Sequence, residues 1–180
     1  MVYEKSDWDY RKANLDDAVA TSDKKFAGVL NAMDANMKAF EARGGKLILY
    51  HGWSDPGISP LSVVHYYGSV VRKMGQSAAD SFVRLYMVPG MQHCQGGPGT
   101  DIFGEFGISA ANDPHHNLYM ALEQWVEKGS APSELIASKM DGPGPEAKVT
   151  MTRPLCEYPQ EARYKGSGDM NNAENFACGK

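Results

Sequence analysis

Lys46-Leu47-Ile48-Leu49-Tyr50-His51-Gly52 and Phe82-Val83-Arg84-Leu85-Tyr86-Met87-Val88-Pro89-Gly90 are the two stretches from which the fold can be read. Each holds a short apolar run, ended by turn-forming residues, of the kind a strand buried on both faces shows. Between them, Ser59 and Pro60 read as the N-cap and first residue of a helix. Leu61, Val64, Tyr67, Val71 and Met74 form its apolar stripe, and Gly75 stops it. A strand, a four-turn helix and another strand predict a βαβ unit closing right-handed onto a parallel sheet. The fold class is therefore α/β.

Outward from that unit the pattern weakens. Residues 1–22 are polar and mixed. From Asp23 to Arg43, Phe26, Val29, Leu30, Met33, Met37 and Phe40 recur at helical spacing; Asp34 can cap a second helix, so one helix or two stays open. Gly44 and Gly45 end the stretch. Downstream, the Gly-rich segment from Gly96 to Gly107 reads as a flexible connector. Asp113 and Pro114 start a helix carrying Leu118, Ala121, Leu122, Trp125 and Val126, and Gly129 ends it. A strand is expected near 148–152, followed by a loop-rich tail that Cys156 and Cys178 bracket. With Cys94 the cysteines are odd in number, so one pair can close and one thiol is left over.

The chain has 180 residues, 42% of them apolar and 22% charged, as in an ordinary globular protein. Eighteen basic against 22 acidic side chains give a net charge of −4, which argues against nucleic-acid binding. No run approaches the roughly 20 apolar residues that span a bilayer, so no membrane association is expected. Met1 to Tyr10 lacks the apolar core of a signal peptide.

Chemistry is expected at the carboxyl ends of the parallel strands. The first strand runs into His51-Gly52-Trp53-Ser54-Asp55-Pro56-Gly57, where Pro56 holds Asp55 in an extended turn. The second runs into Pro89-Gly90-Met91-Gln92-His93-Cys94. Neighbouring strands lie about 4.8 Å apart, so Asp55 can meet the His93 ring and make it a general base that then acts as acid. The plainer reading is a turn-forming Asp-Pro and a loop histidine. In α/β-hydrolases the triad runs nucleophile, acid, histidine, which places the nucleophile upstream of Asp55. Ser54 does not fit, because Pro56 replaces the second glycine of G-x-S-x-G and Ser54 shares the acid's loop. Ser6 and Ser22 lack a strand–turn–helix setting.

Other constellations are weaker. His51, His93, Cys94, His115 and His116 show no zinc-type spacing, so no metal site is assigned. Gly96-Gly97-Pro98-Gly99 lacks the Lys-Ser/Thr of a phosphate loop. Trp53 and Met91 flank the acid and the histidine and can wall a pocket for an aromatic acyl group, or simply pack beneath the loops.

Three motifs, His51-Gly52-Trp53-Ser54-Asp55-Pro56-Gly57-Ile58, Pro89-Gly90-Met91-Gln92-His93-Cys94 and the tail from Arg153-Pro154-Leu155-Cys156 through Tyr164-Lys165-Gly166-Ser167-Gly168-Asp169 to Phe176-Ala177-Cys178, resemble the tannase and feruloyl esterase family in order from about residue 20 onward. The resemblance implies the C-terminal part of a secreted or periplasmic α/β-hydrolase with a lid domain inserted before the acid-bearing strand. Residues 1–43 would then be the end of the lid and its return helix. Residues 44–180 would be the C-terminal part of the hydrolase domain, with a disulfide-closed tail at 153–180. Asp55 matches the triad acid and His93 the triad base. Cys94 matches a cysteine bonded to one just before the nucleophilic serine, outside this chain, and Cys156 with Cys178 a second disulfide. The nucleophile motif, the oxyanion-hole segment, most of the sheet and most of the lid, with the calcium loop of several members, are not in this sequence. No cofactor is expected within the chain itself.

The first function that follows is part of a serine carboxylic-ester hydrolase acting on phenolic esters, feruloyl or galloyl, with the remaining N-terminal part of the enzyme as partner and an aromatic ester as substrate. The alternative is a non-catalytic fragment, or a module that binds phenolic ligands or another chain.

Overall fold

The computed structural model describes residues 2–144 and 146–180. The chain forms two compact units, residues 1–34 and 35–180. Ala35, Met37 and Phe40 pack on the core of the second unit.

The first unit is built on helix α1, Leu15–Leu30, which begins well before the expected Asp23. Its start is a capping event rather than a periodicity. The Asn14 side chain accepts the amide hydrogens of Asp16 and Asp17, and those two carboxylates sit in the first turn, where the helix dipole favours negative charge. Asp34 does not cap a second helix: α2 is a single turn, Lys38–Glu41, preceded by Met37.

In the second unit, β1 (Leu47–Gly52) is followed by α3 (Leu61–Met74), α4 (Gln76–Phe82) and β2 (Val83–Val88). The two strands pair in parallel, Leu47 opposite Val83 through Gly52 opposite Val88, as the βαβ reading predicts. Pro60 occupies the cap position, one residue later than expected. Gly75, at φ 88°, ends α3 as predicted, but α4 follows at once and its last residue is Phe82, which the sequence reading had placed in the strand.

Along β2 the side chains alternate between two cores. Val83, Leu85 and Met87 pack with Tyr67, Val70 and Phe82 on one face. On the other, Tyr86 and Val88 pack with Met91, Phe103, Leu118, Ala121, Leu135, Ala137 and Leu155. That period of two, buried on both sides, is the physical origin of the unbroken apolar run.

Helix α5 is Leu118–Lys128, later than the expected start at Asp113. Asp113 instead closes a local turn, accepting the amides of His115 and His116, while Asn117 caps the helix. Beyond it lie two antiparallel pairs: β3 (Glu134–Met140) with β4 (Val149–Cys156), and β5 (Glu161–Tyr164) with β6 (Phe176–Gly179). The expected strand near 148–152 is thus the first half of β4. The tail is less loop-rich than anticipated, because the Cys156–Cys178 disulfide staples β6 to β4.

Gly96 to Gly107 is no flexible connector. Thr100, Asp101, Phe103 and Glu105 are buried, and Ile102 exchanges backbone hydrogen bonds with Ser138 of β3. Its glycines allow backbones to touch. A Cβ at Gly99 would overlap the Pro89 carbonyl, and one at Gly52 would overlap the carbonyls of Met91 and Gln92. At Gly52 the loops following β1 and β2 are therefore in direct backbone contact.

Replacing Gly52 with Ala should cost about 1–3 kcal/mol, the usual range for overpacking, and should push the two loops apart; equilibrium denaturation together with His93 ring chemical shifts checks both. Thiol titration of the folded chain should count one reactive cysteine, Cys94. Unpairing Cys156 and Cys178, 22 residues apart, should lower stability by about 3 kcal/mol. Three reactive thiols in unreduced protein would contradict the pairing.

Candidate functional site

The loop after β1 turns sharply under its own backbone. Trp53 N–H donates to Val88 O, Ser54 N–H to Met91 O and Asp55 N–H to Gly52 O. The turn delivers the Asp55 side chain, only 3% exposed, to the tip of the strand pair. Its Oδ1 accepts the amides of Gly57 at 2.8 Å and Ile58 at 2.9 Å. Its Oδ2 lies 2.8 Å from His93 Nδ1. Asp55 and His93, 38 residues apart, thus meet at neighbouring strand ends.

The hydrogen bond from the Ile58 amide leads in holding the Asp55 carboxyl down at about 2, with the Gly57 amide and His93 assisting and burial opposing. Asp55 is therefore an anion at neutral pH. A carboxylate only accepts hydrogen bonds, so His93 Nδ1 carries the hydrogen and Nε2 carries the lone pair. The His93 side chain is 60% exposed, open to a reacting group. A carboxylate on one ring nitrogen and an outward-facing lone pair on the other is an arrangement able to take up and return a proton.

Behind His93 the loop is clamped. Asp101, buried, accepts the Gly96 amide on Oδ2 at 2.6 Å and the Lys139 ammonium on Oδ1 at 3.0 Å. The same ammonium donates to Gly97 O at 2.8 Å. Cys94 holds a positive φ of 63° and a free thiol.

The remaining candidates separate. Trp53 is 43% exposed and stands at a cavity of about 370 Å³ lined also by Met87, Pro89, Pro154, Tyr158 and Phe176. Met91 is fully buried in the core, so of the two wall candidates its side chain has no surface to offer a substrate. Ser54 lies on the acid's own loop. His115 and His116 sit on the Asp113 turn, where His116 Nδ1 lies 3.0 Å from both carboxylate oxygens. Among the described residues, no three His, Cys, Asp or Glu side chains converge in a way that could hold a metal ion.

Two residues escaped the sequence reading of the site. His51, considered there only as a metal ligand, brings Nε2 to 3.1 Å from Asp55 Oδ2. Its separation of four residues from Asp55 was the available signal, but it takes the tight turn to make them neighbours. Glu105 is buried in the supposed connector; burial pushes its carboxyl up to about 7, and its Oε2 accepts the Phe103 amide at 2.8 Å. Nothing in its sequence context distinguishes it from a surface glutamate.

The sequence matches the family described as tannase and feruloyl esterase over residues 3–179. It is 40% identical over 191 residues to an uncharacterized esterase of Xanthomonas campestris pv. campestris, covering 95% of this chain and 33% of that protein. It is 46% identical over 147 residues to the mono(2-hydroxyethyl) terephthalate hydrolase of Piscinibacter sakaiensis, covering 82% of this chain and 22% of that one. Feruloyl esterase B from Aspergillus oryzae superposes with a TM-score of 0.85 at 31% identity, over 99% of this chain and 35% of the other. The chain thus spans about a third or less of the length of these relatives. By a match running almost end to end, the chain belongs to the tannase and feruloyl esterase family of carboxylic ester hydrolases.

Proposed function

We propose that this chain is the C-terminal part of a serine carboxylic-ester hydrolase of α/β-hydrolase fold acting on phenolic esters, feruloyl or galloyl, and that it supplies the acid and the histidine. The 2.8 Å contact between Asp55 Oδ2 and His93 Nδ1, on a carboxylate otherwise held by backbone amides, carries this reading. The nucleophilic serine lies on the portion of the enzyme outside this chain. Its Oγ attacks the ester carbonyl carbon as His93 Nε2 takes the hydroxyl proton, and the Asp55 anion stabilises the imidazolium that forms. The tetrahedral oxyanion is held by backbone N–H groups of the same outside portion. His93 then returns the proton to the departing alcohol oxygen, leaving an acyl-serine that water hydrolyses by the same relay.

On this reading Trp53 offers an aromatic face to the acyl group. Residues 1–43 form the end of a lid, whose remainder holds any calcium ion. Cys94 bonds to a cysteine just before the serine, tying nucleophile to base. The free Cys94 thiol and the Cys156–Cys178 disulfide support that arrangement and a secreted or periplasmic setting.

Without the nucleophile, the 180-residue chain should not turn over p-nitrophenyl butyrate or methyl ferulate. In an enzyme completed by the outside portion, His93→Ala or Asp55→Asn should lower kcat about 10³–10⁴-fold. Turnover by the chain alone, lost in Ser54→Ala, would overturn the assignment. The Asp55 carboxyl titrates below its ordinary value of 3.8, so its contribution to stability is complete above that pH and disappears as pH falls through about 2. Carbon-13 titration of the Asp55 carboxyl, run alongside thermal melts between neutral and acid pH, should show that order; a midpoint at or above the ordinary value would refute it.

A further inference from the structure

We propose that Lys139 and Asp101 are positioning residues for His93: their ion pair pins the outgoing end of the loop that carries this histidine, and so keeps the ring turned toward Asp55. The inference rests on the reading of Asp55 and His93 as acid and base, and adds two residues that act on the ring only through backbone.

His93 rides on a closed loop. Gln92 N–H donates to Gly96 O at 3.0 Å, so residues 92–96 form a ring of backbone that contains His93 and Cys94. The incoming end is anchored twice, by the buried Met91 side chain and by the Ser54 amide on Met91 O at 3.0 Å. The outgoing end, Gln95-Gly96-Gly97-Pro98-Gly99, has no apolar side chain to sink into the core except the proline. Charge holds it instead. Asp101 Oδ2 accepts the Gly96 amide at 2.6 Å, and Lys139 Nζ donates to Asp101 Oδ1 at 3.0 Å and to Gly97 O at 2.8 Å. The Gly99 amide reaches Gly90 O at the longer distance of 3.3 Å. Lys139 stands on β3 at a register shift between Lys139 and Met140, an irregularity of the kind that re-aims a side chain.

The loop needs such a pin because of Cys94. Its φ of 63° is one that L side chains rarely adopt, and such a conformation persists only where the surroundings over-determine it. Once residues 96 and 97 are released, Cys94 can relax toward negative φ. His93 shares a peptide bond with Cys94, so the same relaxation turns its ring away from Asp55 Oδ2, now 2.8 Å from Nδ1. Lys139 does more than neutralise a buried acid, since its second bond passes beyond Asp101 to the loop itself. Nor is it needed to place the segment that follows. The Asp101 and Ile102 amides both donate to Ser138 O at 3.0 Å, and Phe103 is buried in the core. Loss of the ammonium therefore frees residues 96 and 97 rather than the fold.

Nitrogen-15 and proton NMR of the ring tautomers in the labelled chain tests this without any ester. An unrestrained neutral imidazole prefers its Nε2–H form; in mildly alkaline buffer, His93 should instead be held as Nδ1–H, and Asp55→Ala should return it to Nε2–H. If His93 of the unmodified chain is already Nε2–H, the acid–base reading fails and this inference falls with it. If His93 is Nδ1–H, Lys139→Met should lower its ratio of Nδ1–H to Nε2–H about tenfold, the effect of losing one hydrogen bond to a charged group. His116, whose Nδ1 lies 3.0 Å from both Asp113 oxygens on a separate turn, should keep its tautomer and serves as the internal control. Asp101→Asn, which keeps the side-chain shape and drops the charge, should act in the same direction and carries the test where Lys139→Met does not fold. An unmoved His93 ratio in either variant, with native backbone amide spectra, overturns the role of the pair alone. So does a Gly96 amide that exchanges with solvent at its unprotected rate in the unmodified chain, which requires no variant.

Discussion

A nearly inaccessible carboxylate, held by two backbone amides and one imidazole, holds the candidate site together. Removing an anion from water is expensive unless hydrogen bonds replace the lost solvation. Asp55 meets that requirement with two amides from the turn it begins and one ring from the neighbouring loop. Amides are fixed dipoles that cannot be neutralised by pH, which is why they dominate in keeping this acid ionised. The charge is thus installed by folding, and the orientation of the His93 ring against it requires no further rearrangement.

The fold's contribution is to bring two loops into register at one sheet edge. Parallel pairing places Gly52 beside Val88, so the loops leave the sheet side by side. The missing side chain at Gly52 lets the Met91 and Gln92 backbone close over the first loop. Met91, though useless as a substrate wall, anchors the second loop by burying its side chain in the core while its carbonyl receives the Ser54 amide. The Lys139–Asp101 pair fixes the far side of the same loop. These constraints act on backbone rather than on the imidazole, so the ring keeps its exposure while its base is immobilised.

The legible and illegible parts of this chain differ in what stabilises them. Strands β1 and β2, helix α3 and the Asp55–His93 pairing are readable because burial on two faces, a regular stripe and strand-end geometry each leave a local pattern. Helix α1 begins on a capping side chain, Asn14, amid residues with no periodicity, and α5 begins at Asn117 because Asp113 spends its carboxylate on a tighter turn. Strands β5 and β6 are four residues each and largely exposed, so their order derives from pairing and the disulfide rather than from hydrophobic alternation. The glycines of 96–107 look like looseness in sequence; in space they are contacts, since close backbone approach and flexibility share one residue type. His51 was hidden for a related reason: it becomes a neighbour of Asp55 only after the turn folds back.

The difference between β1 and β2 bears on how the chemistry is partitioned. β2 is buried and also covered along its edge: Tyr158 N–H donates to Leu85 O, and Glu157 bridges to Tyr86 and pairs with Arg84. β1 is only half-buried over Leu47–His51 and pairs with β2 on one side within a two-stranded sheet. The histidine-bearing loop therefore grows from the best-packed strand, whereas the acid-bearing loop grows from the less covered one. That asymmetry explains why Asp55 is tied to its neighbours so heavily. A carboxylate on a strand with limited packing must derive its rigidity from hydrogen bonds, and those are the Gly57 and Ile58 amides on Oδ1 and the His93 Nδ1 on Oδ2.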